Sequence, residues 1–145
     1  MFALLDVLGK LWTFPNTMVG LLAGAVSLSF GARPRLCHNA IVFYDCRFVR
    51  RGAITLGNVI LTTEPSLDLM VTTYALRCNS PTKSAPYDLV HLGKHEEAHT
   101  YQYQTLGPFF LPVYCIAGIG RQVSAFERAA DRYAQTGAGW WPTPV

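Results

Sequence analysis

Hydrophobic positions are distributed unevenly along the chain, and each zone predicts a different kind of element. Residues 18–32 read Met-Val-Gly-Leu-Leu-Ala-Gly-Ala-Val-Ser-Leu-Ser-Phe-Gly-Ala without a charge, which predicts an apolar helix. Gly20 and Gly24, four apart on one helical face, let a neighbouring element approach closely. Pro15 and Asn16 break the run on its upstream side, so it falls short of the ~20 apolar residues that a spanning helix needs. A buried core helix and a hairpin at a membrane surface both fit, and residues 1–36 form an apolar helical segment on either reading.

The pattern then changes period. Residues 37–63 are β-rich: 40–44, 46–49 and 53–63 carry the β-branched and aromatic side chains of strands, with Gly57-Asn58 as a bulge or turn. These predict a small antiparallel sheet. Residues 64–87 mix Pro, Ser and Thr around an apolar patch at 67–75, expected to form a helix and then a loop. A helix is predicted over 84–106, capped by Ser84 or Asp88 and stopped by Gly107-Pro108. A second is predicted over 124–136, stopped by Gly137. Between them, 106–120 is apolar but carries Pro108 and Pro112, and is expected to be a buried connector. Trp140 and Trp141 are expected on the core or at a membrane interface. The expected architecture is one α+β domain over 1–145.

Composition adds a constraint on the surface. Charged residues make up 14% of the 145 positions and hydrophobic ones 50%, against ~25% charged in ordinary globular chains. A surface this poor in charge suits burial in an assembly or contact with a membrane. The net charge is only +3, and the basic residues are scattered apart from Arg47, Arg50 and Arg51. Nucleic acid is therefore not an expected partner. Asp6 precedes Lys10 and no basic n-region leads the chain, so secretion through the general pathway is not expected. Cys37, Cys46, Cys78 and Cys115 contain no C-x-x-C, and the bridged and free states of Cys37 and Cys46 are both open.

Chemistry concentrates in residues 95–99, His-Glu-Glu-Ala-His. On a helix, His95 and His99 lie one turn apart on the same face and can offer two imidazole nitrogens to one Zn²⁺. Glu96 then stands beside the metal as a general base. Catalytic zinc takes three protein ligands, and downstream of His99 the acidic residues are Glu127 and Asp131, again at i, i+4. Glu127 suits the third ligand position. Asp131 suits the carboxylate that accepts the remaining ring N–H of a ligand histidine. Ser124-x-x-Glu127 also reads as a capping box, which would turn Glu127 away from a metal. His91 is one turn too far along the axis to share the ion, and His38 has no spacing partner. Tyr103 and Gln102 are candidates for oxyanion or substrate contacts, with core packing the alternative for Tyr103.

These two helices resemble the gluzincin metallopeptidases, in which H-E-x-x-H is completed by Glu from an E-x-x-x-D on a second helix. Residues 126–132, Phe-Glu-Arg-Ala-Ala-Asp-Arg, look like the corresponding segment of the membrane-embedded prenyl-protein endopeptidases and their bacterial heat-shock relatives. Small bacterial proteins with H-E-x-x-H-x-x-Q, a Leu-Gly-Pro-x-x-Leu-Pro segment and an upstream Thr-Leu-Gly-x-Val are more similar still; here those elements are residues 95–102, 106–112 and 55–59. H-E-x-x-H-x-x-Q segments also occur in secreted bacterial toxin domains. The resemblance implies a bacterial zinc metallopeptidase, cytoplasmic or membrane-associated, acting on a peptide or protein substrate. The rival expectations are a non-catalytic zinc-binding, membrane-associated protein that uses its apolar surface for assembly, and a secreted bacterial toxin peptidase domain.

Overall fold

The computed structural model describes residues 2–50, 52–77, 89–119 and 123–143. Its fold is α+β, with helices on both faces of a four-stranded sheet. The single apolar helix expected at the start is two, α1 (Phe2–Trp12) and α2 (Phe14–Leu28), bent by 70°. The break has a local cause: Pro15 lacks an N–H and fits only the first turn of a helix, so α2 begins there instead of continuing α1.

Residues 33–62 build the sheet. Strands β1 (Arg33–Cys37) and β2 (Ala40–Tyr44) form a hairpin through His38 and Asn39, whose φ values of 50° and 59° suit a two-residue turn. Strands β3 (Ala53–Leu56) and β4 (Val59–Thr62) form a second hairpin through Gly57-Asn58. The two hairpins join by a parallel pairing of β2 with β4, giving the order β1-β2-β4-β3. The sheet is therefore mixed, where an antiparallel one was expected. After β2 the chain leads to the outer edge, so β3 takes that edge and β4 returns beside β2 in the same direction. The strand expected over 46–49 is part of this loop, with Cys46 N–H bonded to the Thr62 carbonyl at 2.8 Å.

The sheet has two covered faces. Phe43, Val59 and Leu61 pack with Ala32, Cys46 and Val49 beneath α2. Gly20 and Gly24 make that approach possible: a Cβ at Gly20 would lie 2.7 Å from the Val59 Cβ, and one at Gly24 would overlap the Phe43 ring. On the opposite face Val42, Tyr44 and Ile60 pack with Leu67 and Leu92.

Helix α4 (Leu92–Leu106) starts later than the 84 expected. Leu89–His91 pairs as strand β6 with β5 (Met70–Thr72), and His91 caps the helix by accepting the Lys94 N–H on Nδ1 at 3.4 Å. Ser84 and Asp88 lie outside the described residues, as does Cys78. The helix expected over 67–75 is instead β5 and then the short α3 (Tyr74–Arg77). Gly107, at φ 57°, ends α4 as expected. The apolar stretch beyond it is largely exposed, where a buried connector was expected. After the turn Gly107–Phe109, α5 (Phe110–Gly118) buries Phe110 while Phe109, Leu111, Val113, Ile116 and Ile119 face outward. Helix α6 (Ala125–Thr136) matches expectation at both ends, capped by Ser124 and closed by Gly137 in the left-handed conformation. Cys37, Cys46 and Cys115 are free thiols. Trp140 and Trp141 pack beside the α4–α6 aromatic clusters.

Candidate metal centre

Helix α4 is unusual in what it buries: His95, Glu96, Glu97, His99, Thr100 and Gln102 are all withdrawn from solvent. Polar groups survive burial only with partners, so each of these side chains needs one. Helix α6 supplies those of the two histidines through Glu127 and Asp131, which are also buried.

Gln102 fixes the state of His99. Its amide nitrogen donates to the carbonyls of Phe126 at 3.1 Å and Trp140 at 2.7 Å, which leaves its oxygen facing His99 Nδ1 at 2.8 Å. An amide oxygen only accepts, so His99 carries a proton on Nδ1 and turns Nε2 inward. Asp131 acts likewise on His95: Oδ1 lies 2.9 Å from Nδ1, while Oδ2 accepts the Tyr74 N–H at 2.9 Å. The expected orienting role of Asp131 therefore belongs to His95. The expectation that Gln102 contacts substrate or an oxyanion is corrected: the side chain is 0% exposed and spent on holding His99.

Both Nε2 atoms now point at the same place. They are 3.2 Å apart; His95 Nε2 lies 3.1 Å from one Glu127 oxygen and His99 Nε2 lies 3.5 Å from the other. Two imidazole nitrogens and two carboxylate oxygens at such distances repel unless a proton or a cation lies among them. Tetrahedral zinc with ligand bonds of ~2.0–2.1 Å sets its ligand atoms about 3.3 Å apart, which these spacings match. His95, His99 and Glu127 form a buried group that can hold a metal ion. Glu127 is not folded back as a capping box, because the Ser124 hydroxyl takes the Phe126 N–H at 3.2 Å and leaves the carboxylate free to face the histidines.

The local electrostatics carry the same signature. Burial opposes charging of His95, but the Asp131 and Glu127 carboxylates outweigh it and raise its pKa to about 10. Burial likewise opposes charging of His99, and Glu127 overrides it in the same direction. Burial would raise the Glu127 carboxyl, yet the two histidines hold it well below its ordinary value. The pocket is built for positive charge. Tyr114, on α5, donates to the second Glu127 oxygen at 2.5 Å, and burial, then the Glu127 charge, push its hydroxyl upward.

Glu96 leaves the metal group and enters an adjoining cleft of about 190 Å³ lined also by Thr55, Leu56, His99, Tyr103 and Tyr114. Thr55 on β3 donates its hydroxyl to one Glu96 oxygen at 2.7 Å. Tyr103 takes the core-packing alternative expected for it, with its ring on Phe110 at a centroid distance of 4.1 Å, while its hydroxyl is buried without a partner among the described residues.

Glu97, Tyr114 and Thr55 were not singled out by their sequence context. Glu97 accepts from Lys94 at 2.9 Å, from Tyr101 at 2.9 Å and from Tyr133 at 3.2 Å, with His38 Nδ1 at 3.8 Å. His38 and its neighbours hold the carboxyl down at about 2 despite the opposing effect of burial. His38 therefore faces Glu97 and His91 caps α4, both outside the group formed by His95, His99 and Glu127. One signal was available for Tyr114: it is a hydroxyl-bearing side chain in an otherwise apolar segment. Searches against models of known protein families, against curated proteins and against solved structures found no match, so the chain stands on its own residues.

Proposed function

We propose that the protein is a zinc-dependent peptidase. The observation that carries this reading is the convergence of two histidine Nε2 atoms and a Glu127 carboxylate in a buried group, beside a cleft into which Glu96 projects. Bound among His95, His99 and Glu127, zinc would supply Lewis acidity and lower the pKa of a water to about 7.

The protein's own residues account for the rest. Glu96, with one oxygen held by Thr55, takes the proton of the attacking water and later passes it to the leaving amine. The cleft runs along β3, an outer strand of the sheet whose second edge is unpaired among the described residues, so that an extended peptide can pair there. Ile54, Leu56, Phe110 and Leu111 make the lining largely apolar and favour an apolar substrate side chain. Tyr103, with an unpartnered hydroxyl on the same wall, is available to donate to a developing oxyanion. Tyr114 holds Glu127 in position.

The test compares wild type with Glu96→Gln for metal content by elemental analysis and for cleavage of a broad peptide library. The expected result is equal zinc in both, with the rate in the variant reduced by about 10²–10⁴. Zinc in both proteins without cleavage by the wild type would overturn the peptidase reading in favour of a non-catalytic metal site.

A further inference from the structure

Helix α2 is built inside out. The residues it buries are Asn16, Thr17, Gly20, Gly24 and Ser27, with Leu21 and Ala23 partly buried against the core, while Met18, Val19, Leu22, Val26 and Leu28 are exposed. A helix on the surface of a water-soluble fold does the reverse. Small and hydrogen-bonding residues toward the protein with large apolar ones outward is the arrangement that hydrocarbon selects, because in lipid there is no hydrophobic gain from turning leucines inward. The inward polar groups are all satisfied: Asn16 donates to the Gly107 carbonyl at 3.0 Å, Thr17 receives Asn58 N–H groups at 3.0 and 3.1 Å, and Ser27 bonds the Ala23 carbonyl at 2.9 Å.

The exposed face does not stop with α2. On α1, Leu4, Leu5, Val7, Leu8, Leu11 and Trp12 are exposed, and Trp12 meets Phe109 with ring centroids 6.2 Å apart, joining this face to α5. The far end of α2 carries Phe30, which meets the exposed Phe48 edge-on at 5.0 Å, and Phe48 lies between the exposed Arg47 and Arg50. Aromatics beside arginines at the rim of an apolar face are the composition of a bilayer interface with anionic headgroups.

We infer that the elbow of α1 and α2, extended by α5, is a membrane-docking surface that seats in one leaflet of a bilayer containing anionic lipid. Neither helix is long enough to cross: α2 has 15 residues, a length of about 22 Å, against the ~30 Å of a hydrocarbon core. The 70° bend suits helices lying in the plane of the interface. A second copy of the chain is a poorer occupant, since the inward small residues show that α2 makes its close protein contact on the other side. The inference does not rest on the peptidase reading. It does place the Leu111 side of the cleft next to the membrane, because α5 supplies both the cleft wall and the exposed Ile116 and Ile119 at its far end.

Flotation of the full chain with vesicles tests it, using phosphatidylcholine alone and phosphatidylcholine mixed with phosphatidylglycerol. Wild type is expected to float with both and more tightly with the mixed vesicles. The double variant Leu22→Glu/Val26→Glu is expected to partition at least about tenfold less, and Arg47→Glu/Arg50→Glu to lose the preference for anionic lipid alone. Metal content and circular dichroism of each variant establish that it is folded. Wild type that stays with the soluble fraction in both compositions would overturn the inference, as would flotation unchanged by the glutamates. Sedimentation showing a lipid-free dimer that the glutamates dissociate, with no flotation, would assign the face to a second copy instead.

Discussion

Helices α2 and α4 are both 15 residues long and cover opposite faces of the same sheet, yet they distribute polarity in opposite senses. Helix α4 draws two histidines, two glutamates and a glutamine into the interior, where α6 and the chain beyond it meet several of them with partners. Helix α2 sends Leu22, Leu28, Val19 and Val26 outward and keeps glycines against the sheet. The difference teaches that neither helix is placed by average hydrophobicity. Helix α4 is held by a network whose members each need another, and α2 by closeness of approach.

The sharpest way to break that comparison is to remove one member from each helix. His99→Ala is expected to abolish metal binding and, by leaving Glu127 and Gln102 partly unpaired in the interior, to lower stability by roughly 3–5 kcal/mol. Leu22→Ala on the exposed face of α2 is expected to change stability by less than about 0.5 kcal/mol in the absence of lipid. Chemical denaturation of both variants measures the gap, and equal losses would show that the two helices are held alike. Next in size is Gln102→Leu, which keeps the volume but frees the His99 ring; metal affinity should fall by roughly 10–100-fold while the metal content at saturation is kept. Competition with a chromophoric chelator reads this directly.

Closeness of approach is tested by Gly24→Ala. The added methyl meets the Phe43 ring, so a loss of about 1–3 kcal/mol is expected in thermal or chemical unfolding. A further test concerns acid. Glu97 has a folded pKa of about 2 against an ordinary 4.5, so its contribution to stability is complete above about pH 4.5 and is lost as pH falls towards 2. Unfolding midpoints measured across that window should decline less steeply in Glu97→Gln than in wild type.

Much of the metal group was legible before any fold was known. His95 with His99, and Glu127 with Asp131, are each at i, i+4, and that spacing alone sets each pair on one face of a helix. The caps were legible for the same reason, since Ser124 and Gly137 act on their own turns. The exposed surface was foreshadowed by the 14% charge content. Errors came where a distant segment decided a local choice: Leu89–His91 became a strand because β5 lay beside it, and residues 107–118 turned outward because Gly107 redirected the chain.

Local periodicity and the chemistry of single turns are properties of neighbouring residues, so the sequence by itself determined two helices that each set candidate metal ligands on one face, a β-rich middle with a turn at Gly57-Asn58 and an apolar start, whereas residues 33–36, read as the end of the helical segment, joined the sheet as part of β1. Docking is a property of residues tens of positions apart, and only the tertiary structure decided that Asp131 serves His95, that Gln102 serves His99, that Tyr114 reaches Glu127, and that β2 runs parallel to β4. The same is true of the orientation of α2. Its glycines permit two faces to be inward, and it was the approach of Phe43 and Val59 to a surface without side chains that left Leu22, Val26 and Leu28 outside.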